Sequence, residues 1–405
     1  MSSDNKIVHL YQSIRQETRN ICDRLEVEDH AIQPSAFVSP PKWHLAHTTW
    51  FFEEFLLKRK IDNFTPYNID FNFIFNSYYN SLGEFIPRRK RGILSRPTVE
   101  EILRYRECID SKILDIIDRN DLDEQEKFLI ELGLHHEQQH QELLYMDIKY
   151  ILNPNNIAYQ KERPEQAKAA RRSWQSFDEN VREIGAAKNG FSYDNENPRH
   201  KIYLYPFLMS NTLVSNGEYL DFINAGGYEN HEYWLSLGWE FINKAKIDHP
   251  LYWKYDNNKW YEYTLYGLAE LDLNAPVVHI NYFEACAFAT YQQARLPTEF
   301  EMETFLDGQE HGEPSSLSSI HPFDVAMPKR QVWCWTSSSY AAYPGFKALD
   351  GPFIEYNKKF MCNQYVLRGG AIVTPHSHYR DSYRNYYLPS QRWMFSGIRL
   401  AKDLR

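Results

Sequence analysis

Helical periodicity is confined to the first 153 residues of this 405-residue chain, and no other feature constrains the fold more. Over residues 5–26, apolar side chains recur at helical spacing, at Ile7, Leu10, Tyr11 and Ile14. Three further helical segments are delimited by local signals. Proline in the first turn or a capping residue marks a start, and an Asn-Pro pair or a charged stretch marks an end. These segments begin at Ser39 with Pro40 and Pro41, near Pro97 (ending about Ile117), and near Asp123 (ending before Asn153). Helices of this length and number predict an N-terminal four-helix bundle over residues 1–157.

The remaining residues have a different pattern. Residues 158–190 are polar, mixed in charge and poor in branched aliphatic side chains, which predicts a linker. From residue 191, short aromatic runs are punctuated by Asn, Gly and Pro, and one longer helical period occurs near 282–293. This pattern predicts an irregular α+β domain over 191–405, so the fold class of the whole chain is α+β.

Composition excludes several classes of protein. The net charge is −9 and no long basic stripe occurs, which disfavours binding to nucleic acid or to an anionic membrane. The five cysteines are scattered and never in CxxC spacing, which argues against a disulfide framework. The N-terminus has no apolar run of signal-peptide length, and no later window is long and apolar enough to span a membrane. We therefore expect a cytoplasmic protein, a monomer, that acts on small molecules.

The segment LGLHHEQQHQEL in the fourth helix indicates a metal site. His136 and His140 are one turn apart and share a stripe with Leu132, so both should point into the bundle. On the second helix, His47 shares a stripe with Trp50 and should also point inward. Three inward imidazoles on facing helices predict a metal site. The alternative, in which each is a core histidine bonded to a carbonyl, stays open at this point.

Two other functions fit part of the pattern. His136-Glu137-Gln138-Gln139-His140 matches HExxH, the zinc-hydrolase motif in which the glutamate is the general base. Metalloproteases take their third ligand from downstream, however, whereas the best third candidate here lies upstream. A non-enzymatic binding module with a vestigial metal site is the other alternative. Metal analysis separates iron with O2 consumption, zinc with hydrolysis, and no metal.

Several motifs resemble one known combination of domains. WHLAH, FNSYYN and HHEQQH resemble the DinB-like bundle of the sulfoxide synthases of ergothioneine biosynthesis, the EgtB family. DNENPRH, RLPTEFEME, VWCWTSS and RWMFSGIRL resemble the formylglycine-generating-enzyme-like domain of those enzymes, which has a C-type-lectin-like core. The resemblance spans nearly the whole chain in order. It implies a DinB-like four-helix bundle followed by a formylglycine-generating-enzyme-like domain.

The resemblance also implies an activity. Members of this family are non-haem iron(II) enzymes that use O2 to join a cysteine sulfur to the imidazole of hercynine, the trimethylated betaine of histidine, as a sulfoxide. It implies that His47, His136 and His140 are the iron ligands and that Gln139 contacts the substrate imidazole. The sulfur donor is either cysteine or γ-glutamylcysteine. A related enzyme that uses selenium or histidine instead is an open alternative.

A phenol is expected to serve as a proton or hydrogen-atom donor. The pair Tyr78 and Tyr79 matches the active-site tyrosines of one branch of the family, which favours free cysteine as the donor. Other branches bring a tyrosine from the C-terminal domain, so Tyr383, Tyr386 and Tyr387 are rivals. Packing with a single hydrogen bond is the alternative role of the Tyr78–Tyr79 pair.

The charged groups of hercynine suggest further contacts. A trimethylammonium group has no N–H, so aromatic faces or amide oxygens must hold it, and arginine forks suit carboxylates. The candidates are Tyr383, Asn385, Trp393 and Phe395 for the cation and Arg88 and Arg91 for carboxylates. The alternative role of the aromatic residues is core packing. The alternative for the arginines is that they lie in a solvated loop.

Overall fold

The computed structural model describes residues 3–119, 122–162, 167–309 and 319–404. The chain forms two compact units. Met1–Asn155 and the short segment Pro375–His378 form the first, which we call the bundle unit. Asn156–Thr374 and Tyr379–Arg405 form the second, the sheet unit. Helices dominate the first and strands the second, so the predicted α+β class is confirmed.

The bundle unit is built from helices. Its helices are α1 (Ser3–Cys22), α2 (Pro41–Phe52), α3 (Lys58–Lys60), α4 (Phe71–Phe75), α5 (Val99–Asp118) and α6 (Glu124–Leu152). A π-helical turn, Glu53–Leu57, connects α2 to α3. The long helices α1, α2, α5 and α6 are the four that the periodicity predicts, and α2 packs against both α5 and α6. The predicted four-helix bundle is confirmed.

Local chemistry explains where two of these helices begin. The Thr98 side chain accepts a hydrogen bond from the Glu101 amide, and the Glu101 side chain accepts one from the Thr98 amide. Asp123 and Glu126 form the same capping box ahead of α6. Each box satisfies backbone N–H groups that a helix start otherwise leaves without a partner. The two helices therefore start where the sequence predicts.

The sheet unit contains short strands with interspersed helices. The helices are α7 (Asn216–Asn224), α8 (Ser236–Ala245), α9 (Tyr282–Tyr291) and α10 (Glu299–Asp307). The strands are β1 (Trp174–Phe177), β2 (Asn180–Ile184), β3 (His200–Leu204), β4 (Phe207–Leu213), β5 (Trp253–Asp256), β6 (Lys259–Thr264), β7 (Gly267–Glu270), β8 (Trp333–Ser339), β9 (Tyr365–Arg368), β10 (Asn385–Tyr387), β11 (Ser396–Gly397) and β12 (Arg399–Asp403). Among the described residues they pair in the orders β1-β4-β12, β10-β9-β8-β11, β2-β3 and β5-β6-β7. The pairs are antiparallel except β8 with β11, which is parallel.

One prediction about this region is wrong. The predicted linker over 158–190 contains β1, which pairs with β4, and β2, which pairs along its whole length with β3. Four of the five residues of β2 are exposed and only Ile184 is buried. Because the side chains of such a strand are polar or solvated, its composition resembles that of a linker. The linker prediction therefore fails for these two strands.

Two further findings concern the cysteines and the length of the helices. All five cysteines are free thiols. Within the described ranges, no helix combines the length and the apolar character that crossing a membrane requires.

Candidate metal centre

Three imidazoles from α2 and α6 meet in the interior of the bundle unit. One nitrogen each from His47, His136 and His140 lies within 4.8 Å of the others. The Nε2 atoms of His47 and His136 are 3.2 Å apart. All three side chains are buried, as the helical stripes predict. The structure therefore brings together the three residues that the sequence predicts as metal ligands.

The residues present fit a divalent metal ion. Two nitrogens that each bind one ion at about 2.1 Å are roughly 3.0–3.4 Å apart for octahedral to tetrahedral angles, which matches the 3.2 Å separation of His47 and His136. Burial lowers the pKa of His47 and His140 well below the ordinary value, and lowers that of His136 to about 3. Neutral imidazoles present the lone pairs that a metal requires. The donor set, three neutral nitrogens, leaves coordination positions for substrates.

A backbone carbonyl orients His47. Its Nδ1 lies 2.6 Å from the carbonyl oxygen of Phe75, which can only accept a hydrogen bond. Nδ1 therefore carries the proton, and Nε2 keeps the lone pair that faces His136. The ring also stacks on Trp43, with centroids 4.5 Å apart, and on Trp50 at 5.6 Å. These contacts fix both the tautomer and the plane of the ring.

A second buried chain of polar groups reaches His140, and sequence reasoning missed it. His44 Nδ1 lies 2.8 Å from His140 Nδ1, and His44 Nε2 lies 3.0 Å from a carboxylate oxygen of Asp147. All three side chains are buried. The signal was present in the WHLAH motif, where His44 precedes His47 by three residues and so lies on a neighbouring part of the same helix face.

Glu137 does not face the imidazoles as a general base would. Its carboxylate accepts hydrogen bonds from Arg15 at 2.7 Å, from Thr18 at 2.6 Å and from Arg106. Burial alone would raise its pKa, but Arg106 and Arg15 outweigh burial and lower the pKa of Glu137 to about 2. Both oxygens are committed to this ion-pair network. Glu137 is therefore not positioned to act as the general base that the HExxH alternative requires.

The tyrosine pair lies on the chain segment that contacts His47. Asn76, which follows Phe75, accepts a hydrogen bond from the Tyr79 amide and donates one to the Tyr79 carbonyl, both 2.9 Å. Tyr79 is fully buried, whereas Tyr78 is half-buried. The Tyr79 ring contacts Trp50, the residue that stacks on His47, at a centroid separation of 6.0 Å. The segment thus attaches the tyrosine pair to the surroundings of the centre.

The glutamines of HHEQQH differ in environment. Gln139, the predicted contact of the substrate imidazole, is half-buried on α6. Gln138 donates a hydrogen bond to the Ser377 hydroxyl at 2.6 Å, and His135 Nδ1 lies 2.9 Å from His378 Nδ1. Ser377 and His378 belong to the short C-terminal segment of the bundle unit. Sequence reasoning did not find this attachment, because PHSH matches no motif with a known spacing.

The two arginine candidates also differ. Arg88 is exposed, whereas Arg91 is buried. The Arg91 guanidinium carbon lies 3.3 Å from the Trp43 ring centroid, and its Nη1 donates to the Ser39 hydroxyl at 2.9 Å. Arg91 Nε has no hydrogen-bond partner among the described residues. The structure therefore brings Arg91, but not the side chain of Arg88, into contact with the tryptophan that stacks on His47.

Both units of the chain contain residues that match known protein families. Two family profiles match, the DinB superfamily over residues 10–144 and the sulfatase-modifying factor enzyme 1-like domain over 165–314. Hercynine oxygenase from Mycobacterium tuberculosis is 31% identical over 252 residues, 55% of this chain and 58% of that protein. Hercynine oxygenase from Mycolicibacterium thermoresistibile is 28% identical over 357 residues, 78% of each chain. Ergothioneine biosynthesis protein 1 from Schizosaccharomyces pombe is 28% identical over 232 residues, 53% of this chain and 28% of that protein.

In both halves, the chain is similar to the EgtB family of ergothioneine-biosynthesis sulfoxide synthases. It has the N-terminal DinB-like bundle and the C-terminal formylglycine-generating-enzyme-like domain that the motifs predict. The match spans little more than half the length of the Mycobacterium tuberculosis relative, at 58%.

In this EgtB-like chain, the remaining predicted substrate contacts lie in the sheet unit. Phe395 packs against His279 at 4.8 Å between centroids, and the carbonyl of Trp393 lies 3.1 Å from His279 Nδ1. Tyr383 packs edge-on against Trp333, with ring centroids 5.3 Å apart. Trp393, Phe395 and Tyr383 are buried, and Asn385 is half-exposed at the start of β10. The same buried contacts satisfy the core-packing alternative, so the binding role of these residues stays a prediction.

Proposed function

We propose that the protein is a non-haem iron(II)- and O2-dependent enzyme that joins the imidazole of hercynine to a cysteine thiol and yields hercynylcysteine sulfoxide. The observation that supports this most strongly is the set of three buried, neutral imidazoles within 4.8 Å on α2 and α6. The names of the relatives, hercynine oxygenase and ergothioneine biosynthesis protein 1, support the substrate.

In this proposal His47, His136 and His140 hold the metal. Iron(II) would supply the one-electron chemistry that O2 requires, which zinc cannot supply because it has no redox chemistry. Three neutral nitrogen ligands would not cancel the charge of the ion, so binding of a thiolate and a second substrate beside it would be favoured. The chain contributes the orientation of the rings, through Phe75 for His47 and through His44 for His140.

Zinc hydrolysis, the alternative, has less support. A hydrolase of the HExxH type needs its glutamate beside the metal-bound water. Glu137 is instead enclosed by Arg15, Arg106 and Thr18. Moving this carboxylate to the imidazoles would leave the buried Arg106 guanidinium without the carboxylate it pairs with, at a cost of roughly 3–5 kcal/mol, while Arg15 would keep only Asp110.

Substrate carboxylates are assigned to Arg91. A buried guanidinium with one nitrogen lacking a partner is costly, and an incoming carboxylate would offset that cost. Arg88 is proposed as a solvent-side partner of the same carboxylate. Gln139 is assigned to the substrate imidazole, to which its amide can donate or accept. Tyr383, Asn385, Trp393 and Phe395 remain the proposed contacts of the trimethylammonium group.

The phenol of Tyr79, or failing it that of Tyr78, is assigned the proton donation that accompanies O2 reduction. The overall reaction balances when the imidazole C–H and the thiol S–H each lose one hydrogen. One oxygen atom enters the sulfoxide, and the other leaves as water with those two hydrogens. A hydroxyl held at a fixed position lowers the barrier to such a proton transfer, typically by a few kcal/mol.

Turnover with defined substrates tests the proposal. The full-length protein is loaded with iron(II) without oxygen, mixed with hercynine and either cysteine or γ-glutamylcysteine, and exposed to air, and the products are identified by mass. We expect one hercynylcysteine-type sulfoxide, with cysteine preferred. Histidine in place of hercynine, and a selenol in place of the thiol, test the two related activities. Sulfoxide formed only with histidine or only with the selenol would replace the proposed substrate, and no coupled product in any mixture would overturn the proposed reaction.

A further inference from the structure

Two residues of α6, His140 and Asp147, are connected by buried hydrogen bonds through His44 of α2. Asp147 lies on α6 seven residues beyond His140, and His44 lies between them from α2. The carboxylate oxygen of Asp147 that lies 3.0 Å from His44 Nε2 also accepts a hydrogen bond from the Ser39 amide at 2.8 Å. His44 is 2% exposed and Asp147 is 2% exposed, so water does not compete for these contacts.

The carboxylate of Asp147 determines which ring nitrogens of His44 and His140 carry a proton. An ionised carboxylate can only accept, so His44 Nε2 must carry a proton and donate it to Asp147. In a neutral His44 ring, Nδ1 is then an acceptor. His140 Nδ1, at 2.8 Å, must therefore be the donor, and its proton lies on that nitrogen. His140 Nε2 is left with a lone pair.

We propose that His44, supported by Asp147, is a positioning residue that holds His140 in the one tautomer and ring orientation in which its Nε2 can bind the metal. This inference rests on the proposed metal centre and deepens it, because it assigns to His44 a role in metal affinity rather than in contact with substrate. Phe75 does the same for His47 through a carbonyl. Partners of this kind typically contribute 10- to 100-fold to metal affinity.

Three substitutions at one position separate this role from simple packing. In His44→Asn the amide oxygen occupies about the place of Nδ1, so it can still accept the proton of His140. In His44→Gln the amide reaches about the place of Nε2, so it keeps Asp147 but loses His140. His44→Phe keeps ring volume and loses both contacts. His30→Phe is the matched control, because His30 is a buried histidine of the same unit that has no described contact with the three imidazoles.

Two measurements on the full-length protein decide the question. The first is the dissociation constant for cobalt(II), used as the probe ion, by chelator competition. We expect a loss of about 10- to 100-fold for His44→Phe and His44→Gln, a constant within about threefold of the parent for His44→Asn, and no change for His30→Phe. The second is the tautomer of His140 in the metal-free, 15N-histidine-labelled protein by NMR. We expect the Nδ1 proton in the parent and in His44→Asn.

The outcomes that contradict the inference are distinct from those that contradict the proposed function. Unchanged cobalt affinity in His44→Phe, or an equal loss in all three His44 variants with unaltered thermal unfolding, would overturn the positioning role. An Nε2-protonated His140 in the parent would overturn it as well, even if His44→Phe fails to fold. A parent protein that binds no divalent metal would overturn the metal centre itself, while the NMR result would still decide the His44–His140 contact.

Discussion

At the scale of single residues, the position of Glu137 distinguishes the alternatives most sharply. The sequence places it within HExxH, yet a helix turns by about 100° per residue, so the side chain that follows a ligand points to a different face. Here that face is occupied by Arg15 and Arg106. HExxH spacing alone therefore does not reveal the direction of the carboxylate, whereas a structure does.

Glu137→Gln should destabilise the protein without emptying the metal site. Removing the charge leaves buried Arg106 without the carboxylate it pairs with, whereas Arg15 keeps its ion pair with Asp110. Loss of the buried Arg106 pair should lower the free energy of unfolding by about 3–5 kcal/mol. Denaturant unfolding of the metal-free protein measures this loss. Glu107→Gln is the control, because Glu107 is 60% exposed beside Arg19 and such a pair contributes about 0–1 kcal/mol. Unaltered stability with complete loss of turnover would instead revive the base role.

Tyr79→Phe should change the product rather than the fold. Without the hydroxyl, proton delivery should slow by about 10²- to 10⁴-fold, and the thiol can react with O2 alone, RSH + O2 → RSO2H. We expect O2 consumption to continue while cysteine sulfinate replaces the sulfoxide, as measured by product mass. Tyr78→Phe is the paired variant. If both variants keep the parental product ratio, the phenol must be sought among Tyr383, Tyr386 and Tyr387.

At the scale of elements, the long helices were predictable because their ends carry local signals. A capping box such as Thr98–Glu101 is readable from four residues. The hydrogen bonds from His44 to His140 and Asp147, in contrast, depend on the distance between two helices, and no local rule gives that distance. The strands β1 and β2 were missed for a related reason, since partners far along the chain, β4 and β3, make them strands.

Thr98→Ala should measure how much one capping box contributes to the stability of the protein. Losing the hydrogen bond from the Glu101 amide should cost about 1 kcal/mol of the free energy of unfolding. Metal affinity should not change, because Thr98 contacts none of the three imidazoles in the described structure. Thr98→Ser, which keeps the hydroxyl, is the control and should unfold like the parent. A Thr98→Ala protein as stable as the parent would show that packing alone sets the start of α5.

At the scale of the whole molecule, both halves of the chain match their predicted families, while their chemical roles are predicted to different depth. The three ligand candidates needed only helical periodicity, because the side chains of two facing helices converge by geometry. The proposed contacts of the trimethylammonium group come from loops and short strands of the sheet unit, where periodicity carries little information. Their roles rest on the chemistry of the substrate and stay predictions.

The most direct test of the central claim is the fate of 18O2. The full-length iron(II)-loaded protein is given hercynine and cysteine under 18O2, and the sulfoxide is examined by mass. We predict one 18O atom in each sulfoxide molecule, the second appearing in water, and no product from zinc-loaded protein or from His47→Ala. Sulfoxide that lacks 18O, or an equal yield with zinc, would contradict the account.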